Sequence, residues 1–104
     1  MFEVFGFYKF IKIRSLKKNK VLLQEFLIKQ KIRGTIIIAN EGLNGTISGD
    51  SNDIKSIINK LKKIFSFKKF DNSNKSKSSF QPFHKPKVKI KKEVVPMSLT
   101  LNSK

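Results

Sequence analysis

The first third of the chain combines an apolar strand pattern with a helical one. Residues 4–13 are apolar and aromatic with only two lysines, and we expect a largely buried strand there. An amphipathic helix is predicted over residues 16–32, with Ser15 as its N-cap and Gly34 as its C-cap. The apolar stripe of this helix consists of Leu22, Leu23, Phe26, Leu27 and Ile28.

Two short β-branched runs, residues 35–39 and 45–49, predict a pair of strands. Between them, Asn44 and Gly45 predict the turn because both residue types tolerate positive φ, and Gly42 adds a second flexible point. We therefore expect valine at Gly45 to destabilise the fold. A phosphate-binding loop is the alternative for this segment. We favour a structural turn because the glycines lead into a strand and not into a helix.

A second amphipathic helix follows, and its pattern is the most regular in the chain. Asp50 or Ser51 can cap its first turn. Apolar side chains then recur at spacings of three and four residues, which places them on one helical face. These residues are Ile54, Ile57, Ile58, Leu61, Ile64 and Phe65.

The C-terminal third contains a polar stretch and then a strand. Phe67 and Phe70 could belong to a short strand, and the Ser/Asn/Lys-rich residues 71–79 predict a flexible basic loop. Strict alternation over residues 85–95 predicts a half-buried strand with one lysine face. A proline break and polar residues predict a disordered tail over 96–104.

The predicted order is strand, helix, strand, strand, helix, strand. This βαββαβ order is typical of the ferredoxin-like α+β fold, an antiparallel sheet with two helices on one face. We expect one domain over residues 1–95.

The charge of the chain indicates a polyanionic partner. Twenty-three Lys and Arg residues against seven Asp and Glu residues give a net charge of +16. Residues 60–92 hold twelve lysines and one acid, Asp71. AT-rich coding would also raise the lysine content, but it would supply acidic residues as well, and these are scarce. Such a field favours RNA or DNA ahead of anionic lipid.

Other site classes receive no support from the sequence. The chain has no cysteine, which excludes disulfides, thiolate metal sites and a cysteine nucleophile. With a single histidine, His84, a metal site is not expected, and we assign no cofactor and no catalytic residue. Because no apolar run is long enough for a membrane span and the N-terminus lacks a secretory pattern, we expect a cytoplasmic protein without a membrane partner.

Lysines of the last predicted strand are the main candidates for nucleic-acid contacts. Five of the eight residues from 85 to 92 are lysine, more than protection of an edge strand requires. The alternative is a solvated lysine face without a ligand. We favour contact with phosphates of an RNA backbone. The predicted nucleic-acid-binding residues are Arg33, Lys85, Lys87, Lys89, Lys91 and Lys92.

Three ring side chains precede this strand. Phe80 and Phe83 flank Pro82 and could stack on bases, although packing against the domain is an equally good explanation. We expect His84 to be a partly exposed loop residue or a further RNA contact.

Three sequence strings carry a resemblance to a known family. They are "YKF" at 8–10, "RGTIIIANEGLNGTISG" at 33–49 and "QPFHKPKVKIKKEVV" at 81–95. Together with both helices they resemble the N-terminal domain of the tRNA uridine hydroxylases that carry a rhodanese-like domain. The resemblance covers residues 4–95, and the polar residues 71–79 depart from the family pattern.

The resemblance implies an acylphosphatase-type ferredoxin fold, tRNA as partner, and oxygen-dependent 5-hydroxylation of the wobble uridine. In that family the rhodanese-like domain supplies the catalytic cysteine. Because this chain has no cysteine, that residue is not carried over, and we expect the chain alone to be inactive. A separately encoded rhodanese-like domain is a possible partner. The alternatives are a free-standing RNA-binding or ribosome-associated module, and a small acylphosphatase-type enzyme that depends on Asn44.

Overall fold

The protein forms a five-stranded sheet and two helices. A computed structural model describes residues 1–92, so the predicted tail over 96–104 lies outside the described residues. The elements are β1 Phe2–Phe10, α1 Leu16–Lys29, β2 Arg33–Ala39, β3 Gly42–Gly49, α2 Ser51–Ile64, β4 Asn72–Ser78 and β5 Pro86–Ile90.

The sheet confirms the ferredoxin-like prediction and extends it by one strand. Its strand order is β4-β1-β3-β2-β5. The first four strands pair antiparallel, in the arrangement that a βαββαβ unit produces. β5 then adds to the edge of β2 in parallel orientation, so the sheet is mixed and not purely antiparallel.

The fourth strand of the unit comes from residues 71–79, which the sequence predicted to be a loop. These residues contribute β4, which pairs with β1 from Phe2 opposite Ser78 to Tyr8 opposite Asn72. All β4 residues but the last are exposed, so main-chain pairing with β1 and not side-chain burial defines the strand. The predicted strand over 85–95 is consequently the fifth strand, observed as Pro86–Ile90.

Both helices pack on one face of the sheet and cover the core. Leu23 and Leu27 of α1 are fully buried, whereas Leu22 and Ile28 of the predicted stripe are exposed. Ile54, Ile57 and Leu61 of α2 are fully buried, as their spacing predicted. Strand side chains fill the space beneath the helices, namely Phe5, Phe7, Ile36, Ile38, Leu43, Ile47 and Val88.

Phe67 and Phe70 do not form a strand. They lie between α2 and β4, with their ring centroids 5.0 Å apart in an edge-to-face arrangement. Phe70 also lies 5.5 Å from Phe5 and 5.1 Å from Phe7, centroid to centroid. These contacts extend the core toward the start of β4.

The N-cap of α1 is the predicted residue, whereas the C-cap is not. Ser15 is the N-cap residue, but its side chain makes no capping hydrogen bond. At the other end, Lys31 adopts a left-handed φ of 58°, and the amide of Ile32 donates to the carbonyl of Leu27 at 2.9 Å. This is the Schellman arrangement, so Gly34 is not the C-cap and lies instead within β2.

Candidate nucleic-acid interface

The sheet face opposite the helices is the candidate interface, and we call it the open face. Strand side chains alternate between the two faces, so the neighbours of core residues point to the open face. The strand register arranges them in two rows that cross the sheet from β4 to β5. The first row is Asn72, Tyr8, Asn44, Ile37 and Lys89, and the second is Asn74, Gly6, Thr46, Thr35 and Lys87.

Two of the predicted lysines end these rows. Lys87 pairs with Thr35 and Lys89 with Ile37, and both lysines are exposed. Between them Val88 is 2% exposed and points into the core, which confirms the predicted alternation. Two residues along a strand span about 6.6 Å, so these ammonium groups form a positive edge beside the open face.

The remaining predicted contacts lie around this edge. Lys85 and Lys91 flank β5, and their main chains join β2: the carbonyl of Lys85 accepts from Gly34 at 2.9 Å, and the amide of Lys91 donates to Ile38 at 3.0 Å. Lys92 is exposed one residue beyond. Arg33 lies at the start of β2 and donates from its guanidinium to the carbonyl of Phe83 at 3.4 Å.

The β4–β5 connection crosses the sheet, because these strands form opposite edges. On the way the Gln81 side chain accepts a hydrogen bond from the hydroxyl of Ser48, which is fully buried. Phe83 lies against the open face, whereas Phe80 is 66% exposed. His84 is exposed in the same connection, as expected.

A shallow hollow of about 380 Å³ lies on the open face beside Phe83. Among its lining residues, the sequence singled out Asn44 and Gly45 as a turn and Phe83 as a candidate stacking ring, but it did not bring them together in one site. The lining comes mainly from four strands, and no local motif reveals their register. The predicted polyanion contacts are basic side chains, whereas the hollow is lined by amides, hydroxyls, rings and the apolar side chain of Ile37. Its side chains from the two rows include Tyr8, Thr35, Ile37, Asn44, Thr46, Asn72 and Asn74.

The turn between β2 and β3 is not where the sequence placed it. Asn40 and Glu41 form it, and Gly42 is already the first residue of β3. Asn44 and Gly45 lie inside β3, where Asn44 pairs with Tyr8 on one side and Ile37 on the other. Asn44 therefore belongs to the hollow and not to a turn.

Position 45 requires a glycine because neighbouring strands approach closely there, and not because its backbone has a positive φ. A Cβ at this position would lie 2.5 Å from the carbonyl oxygen of Thr35 and 3.0 Å from Cζ of Phe7. Any larger residue would push β2 away from β3. The glycine thus helps to hold together the strands that carry the hollow.

Residues 1–92 contain neither a membrane-spanning helix nor a cluster of metal-ligand side chains. Neither helix in this range has the length and apolar character needed to cross a membrane. No group of three or more His, Cys, Asp or Glu residues lies close enough within the range to hold a metal ion.

A family model described as the UPF0176 acylphosphatase-like domain matches residues 2–94. The tRNA uridine(34) hydroxylase of Pelagibacter ubique (strain HTCC1062) is 75% identical over 104 residues, which are 100% of this chain and 35% of that protein. The enzyme of the same name from Ehrlichia ruminantium (strain Welgevonden) is 37% identical over 90% of this chain and 34% of its own length. The chain thus spans about a third of these curated relatives.

Solved structures share the fold at low sequence identity. The acylphosphatase from Bacillus subtilis superposes with a TM-score of 0.58 and 14% identity, over 88% of this chain and 100% of that one. The BlrP1 BLUF structure superposes with a TM-score of 0.66 and 11% identity, over 88% of this chain and 65% of that one. At these identities the likeness concerns the fold alone.

Proposed function

The chain belongs to the family of UPF0176 acylphosphatase-like domains, and from this premise we propose that it is the tRNA-binding part of a tRNA uridine hydroxylase. The name of the Pelagibacter relative, which is 75% identical across the whole chain, supports tRNA as the substrate. In this proposal the chain holds the tRNA, and a rhodanese-like domain carries out the hydroxylation. The cytoplasm is the site of this function, in keeping with a tRNA substrate.

One observation carries the binding role: Lys87 and Lys89 stand side by side on the open face, at the ends of the two rows. Ammonium groups in this position can contact successive phosphates without a cost for burying them, since both are exposed. Phosphate contacts position an RNA on the protein but carry little sequence information. Selection among RNAs then rests on the uncharged part of the face.

Because the chain as a whole carries a net charge of +16, the test needs a matched control. Lys75 and Lys77 of β4 are exposed as well, but they pair with Phe5 and Glu3 and so belong to the opposite sheet face. Replacing either lysine pair by glutamate changes the net charge equally. A specific interface therefore separates the two double variants, and a diffuse positive field does not.

The test measures binding to total tRNA and to double-stranded DNA of equal charge over a series of salt concentrations. We expect tRNA to bind more tightly, and Lys87→Glu with Lys89→Glu to lower the slope of log K against log salt by about 0.7 to 0.9 per lost contact. Lys75→Glu with Lys77→Glu should leave most of the slope intact. Equal losses in both double variants, or equal binding of tRNA and DNA, would refute the proposed interface.

A further inference from the structure

We propose that the hollow on the open face is a subsite for a single unpaired RNA base, whose flanking phosphates lie along Lys87 and Lys89. This inference rests on the proposed function and adds to it the class of RNA that the face selects. The ligand is a single-stranded segment, such as a loop, and not a paired helix.

The shape of the hollow follows from a glycine. In the second row, Gly6 stands between Asn74 and Thr46 and places no side chain over the sheet. The row therefore dips at this point, while Phe83 from the β4–β5 connection forms a wall beside it. A volume of about 380 Å³ lies near the lower end of the roughly 300–1,000 Å³ that small-molecule sites occupy.

The chemistry of the lining suits a nucleobase. Tyr8 and Phe83 offer ring surfaces, and a base stacked on an aromatic ring gains stabilisation whatever its identity. Asn72 and Asn74 are exposed amides, each with two N–H donors and an accepting oxygen. Such groups can hydrogen-bond the Watson–Crick or Hoogsteen edge of an unstacked base.

The positive charges lie at the rim of the hollow and not in its lining. Within residues 1–92, the lining of the hollow includes no charged side chain, whereas the rows that cross it end in Lys87 and Lys89. This separation matches the two parts of a nucleotide, an uncharged base and an anionic phosphate. Bases of a duplex are stacked and paired, so a single-stranded segment presents one to the hollow without the cost of unpairing it.

The chain carries its own probe for the test. Tyr8 is the single tyrosine and there is no tryptophan, so the intrinsic fluorescence of the protein reports the environment of this ring. The ligands are an RNA hairpin with an unpaired loop and a fully paired RNA duplex of the same charge. We expect the hairpin to quench Tyr8 emission and the duplex to leave it nearly unchanged.

Gly6→Val places a side chain in the hollow at a position where a Cβ has room. The three heavy atoms nearest to a Cβ at Gly6 all belong to the Asn74 side chain, the closest at 3.5 Å, and β-branched residues suit strands. Ser76→Val is the matched control, since it adds the same side chain to the open face outside the lining. If Gly6→Val lowers the yield of folded protein, Gly6→Ala provides a milder filling of the same space.

We expect Gly6→Val to weaken hairpin binding about tenfold and to abolish the quenching, with duplex binding and the salt slope unchanged. Ser76→Val should bind as the parent chain does. Unchanged hairpin binding and quenching in both Gly6 variants would overturn the base subsite, while the lysine variants could still support the proposed function. If the lysine variants also bind normally, the proposed function itself fails.

Discussion

Gln24 of α1 hydrogen-bonds with the main chain of the edge strand β5 at two residues, Pro86 and Val88. Its side-chain nitrogen donates to the carbonyl of Pro86 at 3.0 Å, and its oxygen accepts from the amide of Val88 at 2.9 Å. The amide of Gln24 therefore takes the place of a further strand at this edge. The lysine face of β5 depends on it, because Lys87 lies between the two bonded residues.

Replacing Gln24 by methionine should destabilise the protein and loosen β5. The side chain keeps a similar length but loses both hydrogen bonds, each worth about 0.5–1.5 kcal/mol. We expect a loss of about 1–3 kcal/mol in the free energy of unfolding, measured by urea denaturation. Faster amide exchange at Val88 should accompany it, since this N–H loses its acceptor.

Gln24→Glu is the control for this assignment. The carboxylate can still accept from Val88 but cannot donate to Pro86, so the loss should be intermediate. If both variants unfold at the urea concentration of the parent chain, the two hydrogen bonds do not stabilise β5.

The helices and strands with a buried face could be predicted from the sequence, whereas the exposed strand β4 could not. The α2 stripe and the alternation around Val88 each leave a periodic apolar signal. Residues 72–78 leave none, because the strand lies at an exposed edge and bonds to β1 through its main chain. The polar composition of these residues therefore predicts a loop, although they form a strand.

The turn between β2 and β3 lies elsewhere than predicted because contacts between distant segments fix its position. Asn44 and Gly45 form a strong local turn signal, but the hairpin turns at Asn40 and Glu41. The connection after β1 fixes this position: the amide of Ile13 donates to the carbonyl of Asn40 at 2.8 Å, and that of Ile11 donates to Glu41 at 3.0 Å. No pattern within 35–49 contains this information.

The candidate site could be predicted from the sequence only in part: the lysine face could, and the hollow could not. Alternation alone put Lys87 and Lys89 on one face, and the structure has them there. The hollow beside them depends on which residues stand opposite one another, for example Gly6 opposite both Asn74 and Thr46. Register across four strands is a property of the whole sheet, so no local motif reveals it.

Gly45→Ala should destabilise the protein, and Gly45→Val should do so more strongly. The sequence predicted the loss from a positive φ, whereas the structure attributes it to the Thr35 carbonyl 2.5 Å from the added Cβ. Overpacking of this kind costs about 1–3 kcal/mol. Thermal unfolding of both variants measures it.

Gly6→Ala is the matched control, because it adds the same atom to a neighbouring strand where the closest contact is 3.5 Å. Alanine there should leave stability unchanged or raise it, since glycine weakens strand interiors. Equal melting temperatures for Gly45→Ala and Gly6→Ala would show that the strands can separate to admit a side chain at Gly45.

The two helix ends allow a stabilising prediction. Lys31 and Ser66 hold left-handed φ angles of 58° and 56° just after α1 and α2. A left-handed conformation costs a non-glycine residue about 1–2 kcal/mol, and the extra freedom of glycine in the unfolded chain offsets about 0.5–1 kcal/mol of the gain. Lys31→Gly should therefore stabilise the protein by up to about 1.5 kcal/mol in urea denaturation. Lys29→Gly removes the same side chain from the last turn of α1, where helix propensity predicts a loss of up to about 1 kcal/mol. Opposite signs for the two variants are expected, and a loss in both would show that the left-handed residue carries no strain.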